Sequence, residues 1–263
     1  MGTIRTGRLA LAIALTFSFL DTANAFELWG FHAVNHNGVN PVQVGDQLDF
    51  KIHDKECSKR SYGDGRNEHD CKNGNVTSYM IKAYHAKPGD VFEYHFEVKV
   101  DDKLSYPGFV ANNKWDSRLR MFAFLRDKPK NHIYEMKLTS LHGATFMNSR
   151  CFLPNQFGQW NSVDMRIKWA ADETGKIEVK CNGEIIHKAE NIITTLSPDC
   201  IITNHCIAEE QDLNGQIHFS FGLRMDGFGP EWKKYGKKSQ FTEIEPDGIS
   251  ASYRNVRVIK VTD

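Results

Sequence analysis

An all-β fold of two antiparallel sheets packed as a sandwich follows from three features of the sequence. Several runs alternate apolar and polar residues with period two, a pair of sharp turns including an Asn-Gly separates the clearest of them, and no stretch of length carries helical periodicity. The chain has 263 residues, and sandwiches of this size run as one unit. No repeat, low-complexity tract or Pro-rich linker divides it. The expected organisation is a leader at 1–25 followed by one sandwich domain at 26–263.

The leader comes first. Arg5 and Arg8 precede an apolar run from Leu9 to Leu20, and Ala23-Asn24-Ala25 gives the small-x-small pattern read by signal peptidase, which places cleavage before Phe26. The run is too short to span a membrane, and no later segment is long and apolar enough. Secretion, or delivery to a periplasm, is the expectation. The chain has six cysteines, a number that suits an oxidising compartment and permits complete pairing. Proximity suggests Cys57 with Cys71 and Cys200 with Cys206, leaving Cys151 and Cys181 beside predicted strands.

Gln47 to His53 alternates so that Leu48, Phe50 and Ile52 share one face of a strand. The polar loop from Cys57 to Cys71 follows, carrying Arg66, Glu68 and His69. A disulfide closing it would constrain the unfolded chain by about 3 kcal/mol. Held in this way, Arg66 and Glu68 either form a rigid rim facing a ligand or pair with each other. Val91 to Val100 alternates again. Between Val163 and Ile186 the pattern is clearest. Val163, Met165, Ile167 and Trp169 alternate, Asp172 to Lys176 turns, Ile177, Val179 and Cys181 alternate, and Asn182-Gly183 turns into Glu184-Ile185-Ile186. Ile217 to Arg224 and Ser250 to Val261, with Val256 and Val258 in phase, supply two more strands.

Lys plus Arg and Asp plus Glu are equal, at 33 each, and the balance stays near zero once the leader is removed. Bulk charge therefore suggests neither nucleic acid nor an anionic membrane as partner. One run is locally basic: Trp232-Lys233-Lys234-Tyr235-Gly236-Lys237-Lys238. It is either a solvated loop or a saccharide contact, since aromatic faces stack on sugar rings while lysines meet carboxylates or sulfates.

The order of the pieces carries a resemblance. A polar, cysteine-containing loop leads to Arg66-x-Glu68, then come Tyr94-His95-Phe96-Glu97-Val98, Gly158-Gln159-Trp160, the hairpin with Gly175 and Asn182-Gly183, Phe219-Ser220-Phe221-Gly222-Leu223 and Tyr253-Arg254-Asn255-Val256-Arg257-Val258. This arrangement resembles the heparin lyase I-like family of polysaccharide lyases across most of residues 26–263. The resemblance implies a jelly roll of the concanavalin type and β-elimination on an acidic, uronate-containing polysaccharide. It implies that Arg66 faces the substrate carboxylate from an inner strand while Glu68 fixes the arginine's fork. Tyr235 or Tyr253 would act as acid and base, and His69, Trp115, Arg224, Trp232, Lys233 and Lys234 would contact the polymer.

The sequence departs from the family's pattern at the catalytic positions. Where family members carry Gln and His, this chain reads Arg120-Met121-Phe122-Ala123-Phe124-Leu125-Arg126, and where they carry Lys and Tyr it has Ser220 and Arg224. Arginine binds an acid group well and carries protons badly. His218 is the substitute base, with His132 and His142 as further candidates. Two other classes stay open. One is a carbohydrate-binding, lectin-like jelly roll without proton-transfer groups, in which Trp115, Trp232 and Tyr235 matter most. The other is a glycoside hydrolase, which needs two carboxyl groups on one strand. Its nearest match, Glu243-Ile244-Glu245, runs into Pro246 and ranks last.

No cofactor is expected. C-x-x-C and H-E-x-x-H spacings do not occur, and no glycine-rich loop joins a strand to a helix. Structural calcium is the one metal considered, at Asp64, Asp70, Asp212 or Asp226. The expected partner is an acidic polysaccharide and the expected state a monomer.

Overall fold

A computed structural model describes residues 27–28, 30–33, 41–53, 59–61, 67–69, 76–82, 86–104, 109–111, 114–116, 119–126, 131–197, 213–225 and 248–262. The leader lies outside these residues, as do all four aspartates considered for calcium. Cys57, Cys71, Cys200 and Cys206 lie outside them too.

Two antiparallel sheets stack face to face. The larger has eight strands, in the order β1 (Glu27–Leu28), β2 (Phe31–Ala33), β7 (Val76–Lys82), β18 (Ile217–Met225), β11 (Leu119–Arg126), β12 (Asn131–Thr139), β13 (Gly143–Phe146) and β14 (Ser149–Phe152). The smaller has seven, in the order β17 (Glu184–Ile192), β16 (Gly175–Cys181), β15 (Asn161–Lys168), β8 (Val91–Val100), β19 (Ile249–Val261), β4 (Gln47–Ile52) and β3 (Val42–Val44). Two ribbons stand apart, β5 (Lys59–Ser61) with β6 (Asn67–His69) and β9 (Phe109–Ala111) with β10 (Lys114–Asp116). Strands distant in sequence pair at the middle of each sheet, β7 with β18 and β8 with β19, while hairpin neighbours pair toward the edges, which makes the fold a jelly roll. Helix among the described residues amounts to one 3-10 turn, Pro154–Gln156.

Alternation builds the sandwich. Leu48, Phe50 and Ile52 of β4 are fully buried, as are Phe96, Val98 and Val100 of β8. From the larger sheet, Phe122, Phe124, Phe219 and Phe221 meet them, with ring pairs such as Phe96–Phe122 at 5.7 Å and Phe124–Phe219 at 5.1 Å between centroids. Each such ring contributes about 1.5–3 kcal/mol by burial and about 0.5–1.5 kcal/mol more by edge and offset geometry. Buried Trp169 keeps a polar partner, donating through Nε1 to the Tyr94 hydroxyl at 3.1 Å.

The predicted turns close as their residues dictate. Asn182 and Gly183 both take positive φ, +50° and +83°, the pairing of a type I′ hairpin turn. Asn182 also accepts the Ser162 N–H at 2.9 Å through its side-chain oxygen. Asp172 caps the earlier turn, accepting from the Thr174 N–H at 3.0 Å and hydroxyl at 2.6 Å. The two cysteines left over by proximity are joined. Cys151 on β14 and Cys181 on β16 form a disulfide with a Cα–Cα distance of 5.3 Å, fastening one sheet to the other.

One expectation is corrected in β19. Asn255 has φ +54°, and the register shifts between Arg254 and Arg257, a β-bulge that reverses the phase of the strand. Val256 and Tyr253 therefore both point inward. Tyr253 is fully buried, and its hydroxyl donates to the Met121 carbonyl at 2.8 Å and lies 3.3 Å from that of Gly222. Burial pushes its phenol far above the usual range. Tyr253 is a core residue rather than the acid or base expected of it, because a group with no solvent contact and a committed proton meets no substrate.

Candidate functional site

The outer face of the larger sheet concentrates polar side chains over an apolar underside. On β18, Phe219, Phe221 and Leu223 go into the core while His218 and Arg224 stay partly exposed. Tyr79 on β7 occupies the same outer face, with the Arg224 guanidinium 5.8 Å from its ring centroid. On β11 both Met121 and Phe122 are buried, and the pairing with β12 and with β18 shifts register between Arg120 and Phe122. The irregularity turns Arg120 outward on one side of the break and Ala123 and Leu125 outward on the other. Gly222 makes the matching irregularity on β18, with φ +125° and the Ser78 carbonyl 2.5 Å from where a Cβ would stand.

Registers then assemble a row. Arg224 pairs with Arg120, and Arg120 with Lys137. Three cations from β18, β11 and β12 thus stand side by side, one per strand, at the roughly 4.8 Å strand spacing. Glu135, two residues before Lys137, is the one carboxylate among the described side chains of these three strands. Arg120 donates through Nε to Glu135 Oε2, His132 Nδ1 lies 3.0 Å from the same oxygen, and Lys137 Nζ lies 3.4 Å from Oε1. Desolvation alone would raise the Glu135 pKa, but the His132 hydrogen bond and the Arg120 and Lys137 charges outweigh it and hold the carboxyl down at about 2. Glu135 is therefore ionised across the physiological range.

The outer face of the smaller sheet is different. Its charges are paired off, across neighbouring strands for Arg166 with Glu93 at 2.8 Å and Arg254 with Glu97, and along one strand for Lys180 with Glu178 at 3.1 Å and Lys188 with Glu190 at 3.3 Å. Arg254 also covers the Trp160 ring, 4.2 Å from its centroid. Such a face is solvated and self-neutralised. Among the described residues no group of three His, Cys, Asp or Glu side chains is placed to hold a metal ion.

The residues singled out from sequence are distributed as follows. His218 and Arg224 lie on the outer face of β18, and His218 shares a row with Leu125 and His132. Glu68 and His69 lie on β6, which pairs with β5 in a separate ribbon; the strand beside β18 is β7, not the Arg66-x-Glu68 segment. Trp115 is on β10, in the other ribbon. Arg66, Trp232, Lys233, Lys234 and Tyr235 lie outside the described residues. His142 occupies the turn after β12, where its N–H donates to Thr139 Oγ1 at 3.0 Å. Burial, with the Arg150 charge second, lowers its pKa. Glu135, Lys137 and Tyr79 were not anticipated. The signal for the first two was present, since Tyr134, Met136 and Leu138 alternate with Glu135 and Lys137.

The sequence matches no protein-family model and no curated protein. Solved structures do resemble the fold. The endo-β-1,4-glucuronan lyase of the fungus Trichoderma reesei is 13% identical with a TM-score of 0.49, over 82% of this chain and 80% of that one. The alginate lyase AlgAT5 from polysaccharide lyase family 7 is 12% identical with a TM-score of 0.46, over 90% and 84%. The cellulose-induced protein Cip1 is 11% identical with a TM-score of 0.39, over 80% and 90%. The likeness is one of fold.

Proposed function

We propose that the protein is an exported polysaccharide lyase that cleaves a uronate-containing polymer by β-elimination on the outer face of the larger sheet. The observation that carries this reading is the row Arg224, Arg120 and Lys137, three cations against the single carboxylate of Glu135. An anionic chain laid across the strands meets one cation at each. Elimination requires the C5 proton of the uronate to become acidic, and a fixed cation beside the carboxylate stabilises the charge that develops as that proton leaves. Arg120 is suited to the task because Glu135 fixes the orientation of its guanidinium.

Arg66, Glu68, His69 and Trp115, with Trp232, Lys233, Lys234 and Tyr235, complete the proposed site as further polymer contacts, and His218 borders it. Tyr253 does not belong to it. Export is supported by the leader at 1–25 and by the Cys151–Cys181 disulfide, a bond that persists in oxidising compartments. Residues 26–263 form the single proposed domain, acting as a monomer without a cofactor.

The test is ultraviolet absorbance of the conjugated C4–C5 double bond during incubation with heparin, hyaluronan, chondroitin, alginate, pectate and glucuronan. A signal that rises with one polymer and is lost in Arg120→Ala supports the lyase. Retention of a polymer with no absorbance change across the panel would replace it with the lectin-like reading.

A further inference from the structure

We infer that His132 is the general base of this elimination and that Glu135 sets its tautomer, an assignment that rests on the lyase reading above. Two histidines lie on the outer face in one row, His218 on β18 and His132 on β12, both paired in register with Leu125. They differ in what holds them. His132 Nδ1 is 3.0 Å from Glu135 Oε2, and Glu135 is itself locked by Arg120 and Lys137. A carboxylate that stays ionised accepts a proton from Nδ1, so the neutral ring keeps its basic lone pair on Nε2. The same carboxylate joins the base to the cationic row, so the proton acceptor and the carboxylate clamp are held in one fixed arrangement. Preorganisation of this kind is what general-base catalysis demands. The side chains of His132 and Glu135 are 20% and 18% exposed, buried enough to be held and open enough to be reached.

The step balances without a co-reactant. Nε2 of His132 takes the C5 proton, the C5–H pair becomes the C4–C5 double bond, and the C4–O4 bond breaks with its pair on oxygen. O4 then takes a proton from water. Afterwards the imidazolium returns its proton to solvent. Glu135 is a positioning residue here, since it touches the base and not the substrate.

The experiment compares wild type, His132→Ala, His218→Ala and Glu135→Gln on whichever uronan the wild type cleaves. Replacing His132 is expected to lower kcat by about a hundredfold to ten-thousandfold with KM nearly unchanged, and added imidazole restores part of the rate in His132→Ala alone. Glu135→Gln is expected to lower kcat by a smaller factor, and imidazole does not restore it. Wild-type kcat in His132→Ala, or a large loss in His218→Ala that imidazole repairs, overturns the assignment and leaves the lyase reading standing. A wild type that cleaves no polymer of the panel removes the lyase reading and the base with it.

Discussion

The phenol of Tyr253, on the smaller sheet, donates to the carbonyl of Met121 on the larger sheet at 2.8 Å, across the interior of the sandwich. The acceptor lies where β11 breaks register with both neighbours, a place where the regular ladder is interrupted. Gly222 contributes a second carbonyl at 3.3 Å from the same hydroxyl. The break separates Arg120 from Ala123 on the outer face. A core residue thereby lies against the break that decides which side chains the outer face of the larger sheet presents.

Tyr253→Phe therefore takes from the Met121 carbonyl the buried donor that faces it. An unsatisfied buried group costs about 1–3 kcal/mol, and the loss is expected as a lower urea midpoint with an unchanged slope. Because the bulge positions Arg120, polymer affinity falls as well. Full stability in Tyr253→Phe would show that the hydroxyl carries nothing.

Gly222 sits on the same irregularity, and substitution there meets two obstacles. Its φ of +125° is closed to L side chains, and an added Cβ stands 2.5 Å from the Ser78 carbonyl and 2.7 Å from the Tyr79 Cα. Gly222→Ala is expected to destabilise by at least about 2 kcal/mol. Thermal unfolding checks it: a melting temperature equal to that of the wild type would mean that β7 and β18 can separate at no cost.

Much of this architecture was legible in the sequence, and what was missed has local causes. β4, β8, β15, β16 and β18 follow the alternation of their apolar residues, and Asn182-Gly183 turns as its composition requires. Tyr253 entered the expected site through the family resemblance, and strict alternation from Val256 and Val258, which puts it on the outer face, does not exclude it. The bulge at Asn255 reverses that phase, and nothing in period-two reasoning announces a bulge. The site was half visible. Arg120, Arg224 and His132 drew notice singly, and Glu135 with Lys137 stand in phase on β12. Their convergence depends on β11 lying between β18 and β12, a long-range pairing that no local pattern encodes. Arg66-x-Glu68 attracted attention as a motif, but the strand beside β18 is β7, whose outward residues Thr77, Tyr79 and Ile81 carry no such motif.

Salt separates the cationic row from an apolar contact surface. Arg120→Ala and Arg224→Ala are each expected to weaken polymer binding by about 1.5–3 kcal/mol, the worth of a hydrogen bond to a charged group, and to flatten its dependence on ionic strength. Affinity chromatography on the cleaved polymer, run at several salt concentrations, reads both effects. Elution of either variant at the wild-type salt concentration would remove that arginine from the site.

The disulfide offers a test of how the sheets are joined. Cys151 and Cys181 are 30 residues apart, a loop whose closure is worth about 3.5 kcal/mol on the chain-entropy account. The Cys151→Ala, Cys181→Ala double variant is expected to lose stability of that order in urea while keeping its far-ultraviolet circular dichroism. A double variant as stable as the wild type would assign the fastening of the sheets to the aromatic core alone.

Acid stability tests the charge cluster, and its sign follows from Glu135. The folded-state pKa, about 2, lies below the ordinary glutamate value of 4.5, so the folded form binds its proton less readily than the unfolded chain. The contribution is complete above the unfolded value and disappears as pH falls from there through about 2. With the side chain 18% exposed, solvent screening is limited, and the contribution is about 3 kcal/mol. Glu135→Gln removes this limb of the stability profile and also strips Arg120 and Lys137 of their partner, so the variant starts lower at neutral pH. Urea midpoints measured from neutral pH down to the acid limb should therefore converge for the two proteins. Parallel curves would show that Glu135 titrates normally and that the cationic row is not organised around it.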